Sequence, residues 1–192
     1  MNRIKGKTPD ELLKEYSDPK YLTTDVFGIA RKIGIDIYDA DFESIEEKTS
    51  ASPNSIYGAI IDDDVADTLS VYIREDLENN PYYDKKTQSE KEEILRHKKR
   101  FTLAHEIAHA CLDFSDSATR FKVDFRRDFS PENTDQKEYR ANVFAGELLI
   151  PREALNFVRT AIGTPSISRL CEIFDVSKHV MCARLDYLNI NN

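Results

Sequence analysis

Phe101-Thr102-Leu103-Ala104-His105-Glu106-Ile107-Ala108-His109 joins an apolar run to two histidines four positions apart, with a glutamate beside the first. Residues four apart share one face of a helix, so both imidazoles can reach a single metal ion. Glu106 lies one position further round, where it can touch a water on that ion without ligating it. A zinc ion lowers the pKa of such a water to about 7. A carboxylate placed there can accept the water's proton during attack on a peptide carbonyl and return it to the leaving amine. Phe101, Leu103, Ala104, Ile107 and Ala108 suit a helix buried inside a domain. With four histidines in the chain, a chance H-E-x-x-H arises on the order of once in a hundred such sequences. A purely structural zinc would normally draw on four protein ligands.

A catalytic site leaves one position open for water, so one further protein ligand is required. His97 lies two turns upstream in a basic run and His179 in the C-terminal helices, and neither is well placed. Residues 138–151 (Glu-Tyr-Arg-Ala-Asn-Val-Phe-Ala-Gly-Glu-Leu-Leu-Ile-Pro) read as a helix. Ala141 and Ala145 share the face of Glu138, at i+3 and i+7, and such small residues let a second helix approach closely with that carboxylate. Glu147 is the competing ligand, although Leu148 and Leu149 suggest a different depth and face. Either glutamate has an ordinary alternative as a solvated helix charge. Cys111 reads as a small buried hydrophobe, as do Cys171 and Cys182, but its position two residues beyond His109 also allows it to face the metal pocket.

Outward from this centre the chain organises itself. Thr8-Pro9 with Glu11 predicts a capped first helix. Thr24-Asp25 opens a second, with Val26, Phe27, Ile29, Ala30 and Ile33 as its apolar positions, and Gly34 ends it before the alternating strand Ile35–Tyr38. Ser55–Ile61 and Leu69–Ile73 predict a hairpin around the acidic turn Asp62-Asp63-Asp64. Residues 74–90 read as a loop, a helix runs from about Ser89 through Cys111, and 113–134 reads as polar and irregular. Thr134 or Asp135 caps the next helix, which reaches Ile150-Pro151. Gly163-Thr164-Pro165 stops one helix and opens another, with Ile167, Leu170, Cys171 and Phe174 on one face. Beyond Asp175-Val176-Ser177, Val180, Met181, Leu185 and Leu188 complete a helix-turn-helix-like hairpin. The division expected is residues 1–151 for the metal-bearing domain and 152–192 for a helical hairpin packed on it.

The chain has 192 residues, 40% hydrophobic and 32% charged, enough for one globular domain with a helical appendage. Nothing approaches the roughly 20 apolar residues of a membrane span. The start, Met1–Lys7 followed by Thr-Pro-Asp-Glu, lacks the apolar core of a signal peptide. Three cysteines, odd in number and outside any C-x-x-C, indicate neither a disulfide framework nor a zinc ribbon. A cytoplasmic location is the expectation. The net charge of −8 disfavours binding to nucleic acid through phosphate neutralisation. Arg96-His97-Lys98-Lys99-Arg100 is a local basic patch that a solvated helix face explains as well.

The motif 101–109, followed by Glu138-x-x-Ala141-Asn142-x-Phe144-Ala145-x-x-Leu148-Leu149-Ile150-Pro151, resembles the ImmA/IrrE family of metallo-endopeptidases in residues, order and spacing. The resemblance implies an α+β fold: a minimal, gluzincin-like zincin core, with a small sheet packed on the motif-bearing helices. It carries zinc ligation to His105, His109 and Glu138 and the catalytic base to Glu106. Ile107-Ala108 stands where Leu-Gly is usual, Leu112-Asp113 lacks a histidine often found there, and Ile150 replaces a common Met. None of these removes a ligand, though Asp113 removes one polar contact near the site.

The resemblance further implies a protein substrate, a DNA-binding helix-turn-helix repressor encoded nearby on a mobile element or stress-response locus. An extended substrate commonly pairs with a strand edge, for which Leu69–Ile73 is the candidate. Tyr139, Arg140 and Tyr72 are the candidate oxyanion donors. The alternative is a zinc-containing regulator that acts by stoichiometric contact, as an anti-repressor or antitoxin. Direct DNA binding by the terminal hairpin is disfavoured, since its basic residues are mainly Arg169, Lys178 and Arg184.

Overall fold

The first element, α1 (Pro9–Tyr16), begins with Thr8 accepting from the Glu11 N–H while the Glu11 carboxylate takes the Thr8 N–H at 2.8 Å, the reciprocal cap read from the sequence. The computed structural model describes residues 4–18, 20–43, 56–63, 67–75, 81–112, 121–125 and 136–190. Asp25 caps α2 (Val26–Ile33), and Gly34 closes it at φ 92°, a left-handed turn that a side chain would strain. That turn delivers the chain directly into β1 (Ile35–Ala40). β2 (Gly58–Asp63) and β3 (Thr68–Arg74) pair as an antiparallel hairpin, Ile60 opposite Val71. The strand runs through Asp63, so two of the three aspartates expected in the turn lie in the ladder. Asp64 falls outside the described residues.

Four further readings are corrected. Residues 74–90 contain a short helix, α3 (Pro81–Asp84), which starts at a proline whose missing N–H costs nothing in a first turn. The region 113–134 contains a fourth strand, β4 (Phe121–Phe125), antiparallel to β2. Its Phe-Lys-Val-Asp-Phe alternation is the period-two signal of a strand. The sheet order is β1-β3-β2-β4, with β1 parallel to β3. Leu69–Ile73 is therefore central rather than an edge, because β1 takes up its free side. Finally, Ser166 rather than Thr164 caps the penultimate helix. The expected cap at Thr134 or Asp135 lies outside the described residues.

α4 (Gln88–Leu112) crosses one face of this sheet against β2 and β3, and α5 (Gln136–Leu149) packs along it. The chain ends in α6 (Arg152–Ile162), α7 (Ile167–Phe174) and α8 (Lys178–Tyr187). One buried apolar cluster runs from Ile4 through Ile60, Val71, Ile107 and Leu148 to Phe174 and Leu185. A smaller cluster of Phe42, Ile56 and Ala59 covers the other side of the sheet. The class is α+β, a small sheet on the histidine-bearing helix with a helical C-terminal segment. No helix among the described residues is long and apolar enough to cross a membrane.

The basic patch is spent internally. Asp175, in the left-handed turn between α7 and α8 (φ 51°), receives Arg96 at 2.9 Å, His97 at 3.1 Å and Arg100 at 3.3 Å. Arg100, almost fully buried, also donates to the carbonyls of Asp175 and Thr24 at 2.9 and 3.0 Å. In the hairpin, Arg184 is buried with its Nε on the Ile150 carbonyl, and Arg169 pairs with Glu172. Burial pushes the Asp175 carboxyl up, but Arg96, Arg100 and His97 outweigh it and hold it below its usual range. Burial lowers His97, opposed by Asp175.

Both groups bind protons more readily in the unfolded chain, so each contributes stability that is lost as pH falls. Urea titrations should show stability declining below about pH 6.5, where unfolded histidine protonates, and again below about pH 4 with Asp175. Asp175→Asn keeps the left-handed turn and removes the charge. It should cost about 2 kcal/mol at neutral pH and deepen the upper limb of the acid loss, since Asp175 opposes the depression of His97.

Candidate metal centre

The spacing of the histidines on α4 has the consequence anticipated from helical periodicity. Their rings meet edge to face with centroids 4.6 Å apart, and the two Nε2 atoms lie 2.9 Å from each other. His105, Glu106 and His109 are 0–2% exposed. α5 packs closely on α4, and Ala141 and Ala145, like Ala104 and Ala108, are fully buried in the same apolar cluster. That leaves room for Glu138, whose two carboxylate oxygens reach His105 Nε2 at 3.1 Å and His109 Nε2 at 3.2 Å. One ligand atom from each of the three lies within 4.8 Å of the others, the group of this kind found among the described residues.

These donors fit a zinc ion. Bonds of 2.0–2.1 Å in tetrahedral geometry separate ligand atoms by about 3.3 Å, within a few tenths of an ångström of the distances here. Burial pushes the Glu138 carboxyl up, but its polar contacts with His105 and His109 hold it well below the usual carboxylate range. The carboxylate thus stays ionised beside the imidazoles, as a metal ligand must.

The other residues singled out in the sequence go elsewhere. Glu147 faces away and pairs with Arg184 on α8 at 3.4 Å, nine positions and half a helical turn from Glu138. Cys111 is buried in the apolar core, and burial pushes its thiol up to about 12. His97 belongs to the Asp175 cluster, and His179 is exposed at the start of α8. Tyr72 stacks on Tyr38 at 5.2 Å on the far side of the sheet, beside Phe42 and Ala59. Tyr139 and Arg140 follow Glu138 on α5 and are exposed.

Two residues without a role in the sequence reading matter here. Asn142 Oδ1 lies 3.0 Å from His105 Nδ1; its signal was its place one turn beyond Glu138. Gly58 opens β2 directly over the Glu106 carboxylate. A Cβ there would stand 2.9 Å from Glu106 Oε1 and 2.4 Å from Thr102 Cγ2. The approach is pinned by Arg74, whose backbone N–H reaches the Tyr57 carbonyl at 3.0 Å and whose Nε reaches the Ile56 carbonyl at 2.8 Å. Lys98 Nζ also stands over the Tyr57 ring. A lone glycine in a strand pattern is the sequence sign of such an approach.

A family model described as Peptidase_M78, IrrE N-terminal-like domain, matches residues 95–186. The matched segment holds His105, Glu106, His109 and Glu138 and continues into α8. No curated protein matches the chain. Family and donor set together indicate a metallopeptidase, hence a hydrolase, with zinc suited to the nitrogen and oxygen ligands.

Gly58→Ala should destabilise the fold by about 1–3 kcal/mol through overpacking, read as a drop in thermal midpoint. Adding Thr102→Ser, which removes the offending methyl, should restore part of that loss; equal midpoints for Gly58→Ala and wild type would show that the contact yields freely.

Proposed function

We propose that this chain, a member of the Peptidase_M78 family through residues 95–186, is a zinc-dependent endopeptidase that cleaves a specific regulatory protein, a helix-turn-helix transcriptional repressor encoded beside it. The observation that carries the reading is the convergence of His105, His109 and Glu138 within 4.8 Å, with the buried Glu106 carboxylate on the adjoining position of the same helix. Bound zinc supplies Lewis acidity and acidifies a coordinated water.

The chain's own residues then divide the work. His105, His109 and Glu138 hold the ion. Glu106 accepts a proton at its carboxylate and returns it to the leaving amine of the scissile bond. Its burial keeps bulk water away from that carboxylate, and Gly58 keeps the strand backbone close enough to limit where the carboxylate can point. An extended substrate would pair with the outer strand β4 rather than with β3, which has neighbours on both sides. The Phe125 end of β4 lies opposite Ala59, one residue from Gly58, and so nearest to Glu106.

Metal analysis of purified protein should give one zinc per chain, and His105→Ala should lose it. Glu106→Gln should keep the zinc while cleavage of the adjacent repressor falls by at least about 10³-fold. Full cleavage by that variant would overturn the proposed base. If repressor activity is relieved equally by Glu106→Gln, the protein acts by stoichiometric contact instead.

A further inference from the structure

We infer that Asn142 is a positioning residue for the metal site: its side-chain oxygen fixes the tautomer and ring orientation of His105 so that Nε2 presents a lone pair to the ion. The inference rests on the zinc-site reading above and extends it to a residue outside the ligand set.

The geometry leads there directly. His105 is fully buried, so water cannot choose its tautomer. Asn142 Oδ1 lies 3.0 Å from His105 Nδ1, and a carboxamide oxygen only accepts. With Nε2 turned to the ion, the proton of the neutral ring sits on Nδ1 and is donated to Asn142. The remaining lone pair is on Nε2, the atom 3.1 Å from Glu138 Oε2 and 2.9 Å from His109 Nε2. The opposite tautomer would set a lone pair against Oδ1 at one end and at the other leave Nε2 an N–H, able to donate to Glu138 but not to hold an ion.

Asn142 stands four residues after Glu138, so one face of α5 carries both the third ligand and the group that orients the first. The docking of α5 on α4 thus sets ligand distance and ring angle together. Partners of this kind change metal affinity by about 10- to 100-fold when removed.

Zinc affinity is measured by competition with a chromophoric chelator for wild type, Asn142→Leu, Asn142→Asp and His105→Ala, with thermal midpoints of the metal-free proteins alongside. Asn142→Leu, similar in size but without an acceptor, should weaken binding about 10- to 100-fold. Asn142→Asp keeps the acceptor and should bind within about threefold of wild type or more tightly. Leu and Asp variants weakened equally, or a Leu variant that binds like wild type while His105→Ala loses zinc, would overturn the role of Asn142 and leave the metal site standing. Failure of wild type to bind zinc would sink both readings. Should the Leu variant not fold, ¹⁵N spectra of the imidazoles in zinc-loaded wild type at about pH 8, above the ordinary histidine range, decide the matter. His105 protonated on Nδ1 supports the inference, and protonation on Nε2 overturns it.

Discussion

Placing two imidazoles and a carboxylate in the buried C-terminal part of α4, all within 2% exposure, is costly unless each meets a partner of suitable chemistry. Much of the architecture follows from that constraint. That part of α4 must be covered all round, which the sheet achieves on one face and α5 on another. Small buried residues on both helices, Ala141 and Ala145 on α5 and Ala104 and Ala108 on α4, suit that close approach. The closeness in turn brings Glu138 and Asn142 to the ring nitrogens. Larger residues at those alanines would push the helices apart and leave buried imidazoles without their carboxylate.

The C-terminal helices answer a related constraint at the middle of α4. Arg100 is nearly as buried as the histidines, and its guanidinium is satisfied by backbone carbonyls and by Asp175. Asp175 sits where the chain turns left-handed between α7 and α8, a conformation aspartate tolerates better than most residues. The turn that shapes the hairpin thus also receives the charges that dock it onto α4. Thr23 and Thr24 add hydrogen bonds to the carbonyls of Ile173 and Leu148, so α2, α5 and α7 are tied through the same region.

Local signals made much of this legible in the sequence. The cap at Thr8, the Asp25 start and Gly34 stop of α2, and the pairing of β2 with β3 all rest on interactions within a few residues, which composition and spacing encode directly. The histidine pair was equally local. Glu138 needed an inference from small residues on its face, a weaker signal but a physical one. What escaped was set by distant pairing. The order β1-β3-β2-β4 depends on which strands meet, and nothing within Leu69–Ile73 says that β1 will flank it. β4 carried a period-two pattern inside a polar stretch too mixed to stand out. The basic run at 96–100 read as a solvated face because its acceptor lies about 75 residues away.

Gly58 and Asn142 belong to a third category, visible as residues but silent as to role. Each is defined by what lies opposite it in space. Gly58 matters because Arg74 and Tyr57 hold its backbone against α4, so that the absence of a side chain becomes a requirement. Asn142 matters because a buried ring has no solvent to set its proton. The histidine pair of the candidate site can be read from its spacing, since a helix fixes i and i+4 on one face. Their orientation comes from elements that reach α4 from elsewhere in the chain, β2 above the carboxylate and α5 beside the imidazole. The metal chemistry therefore belongs to the packing of three elements, although its most recognisable residues lie on one.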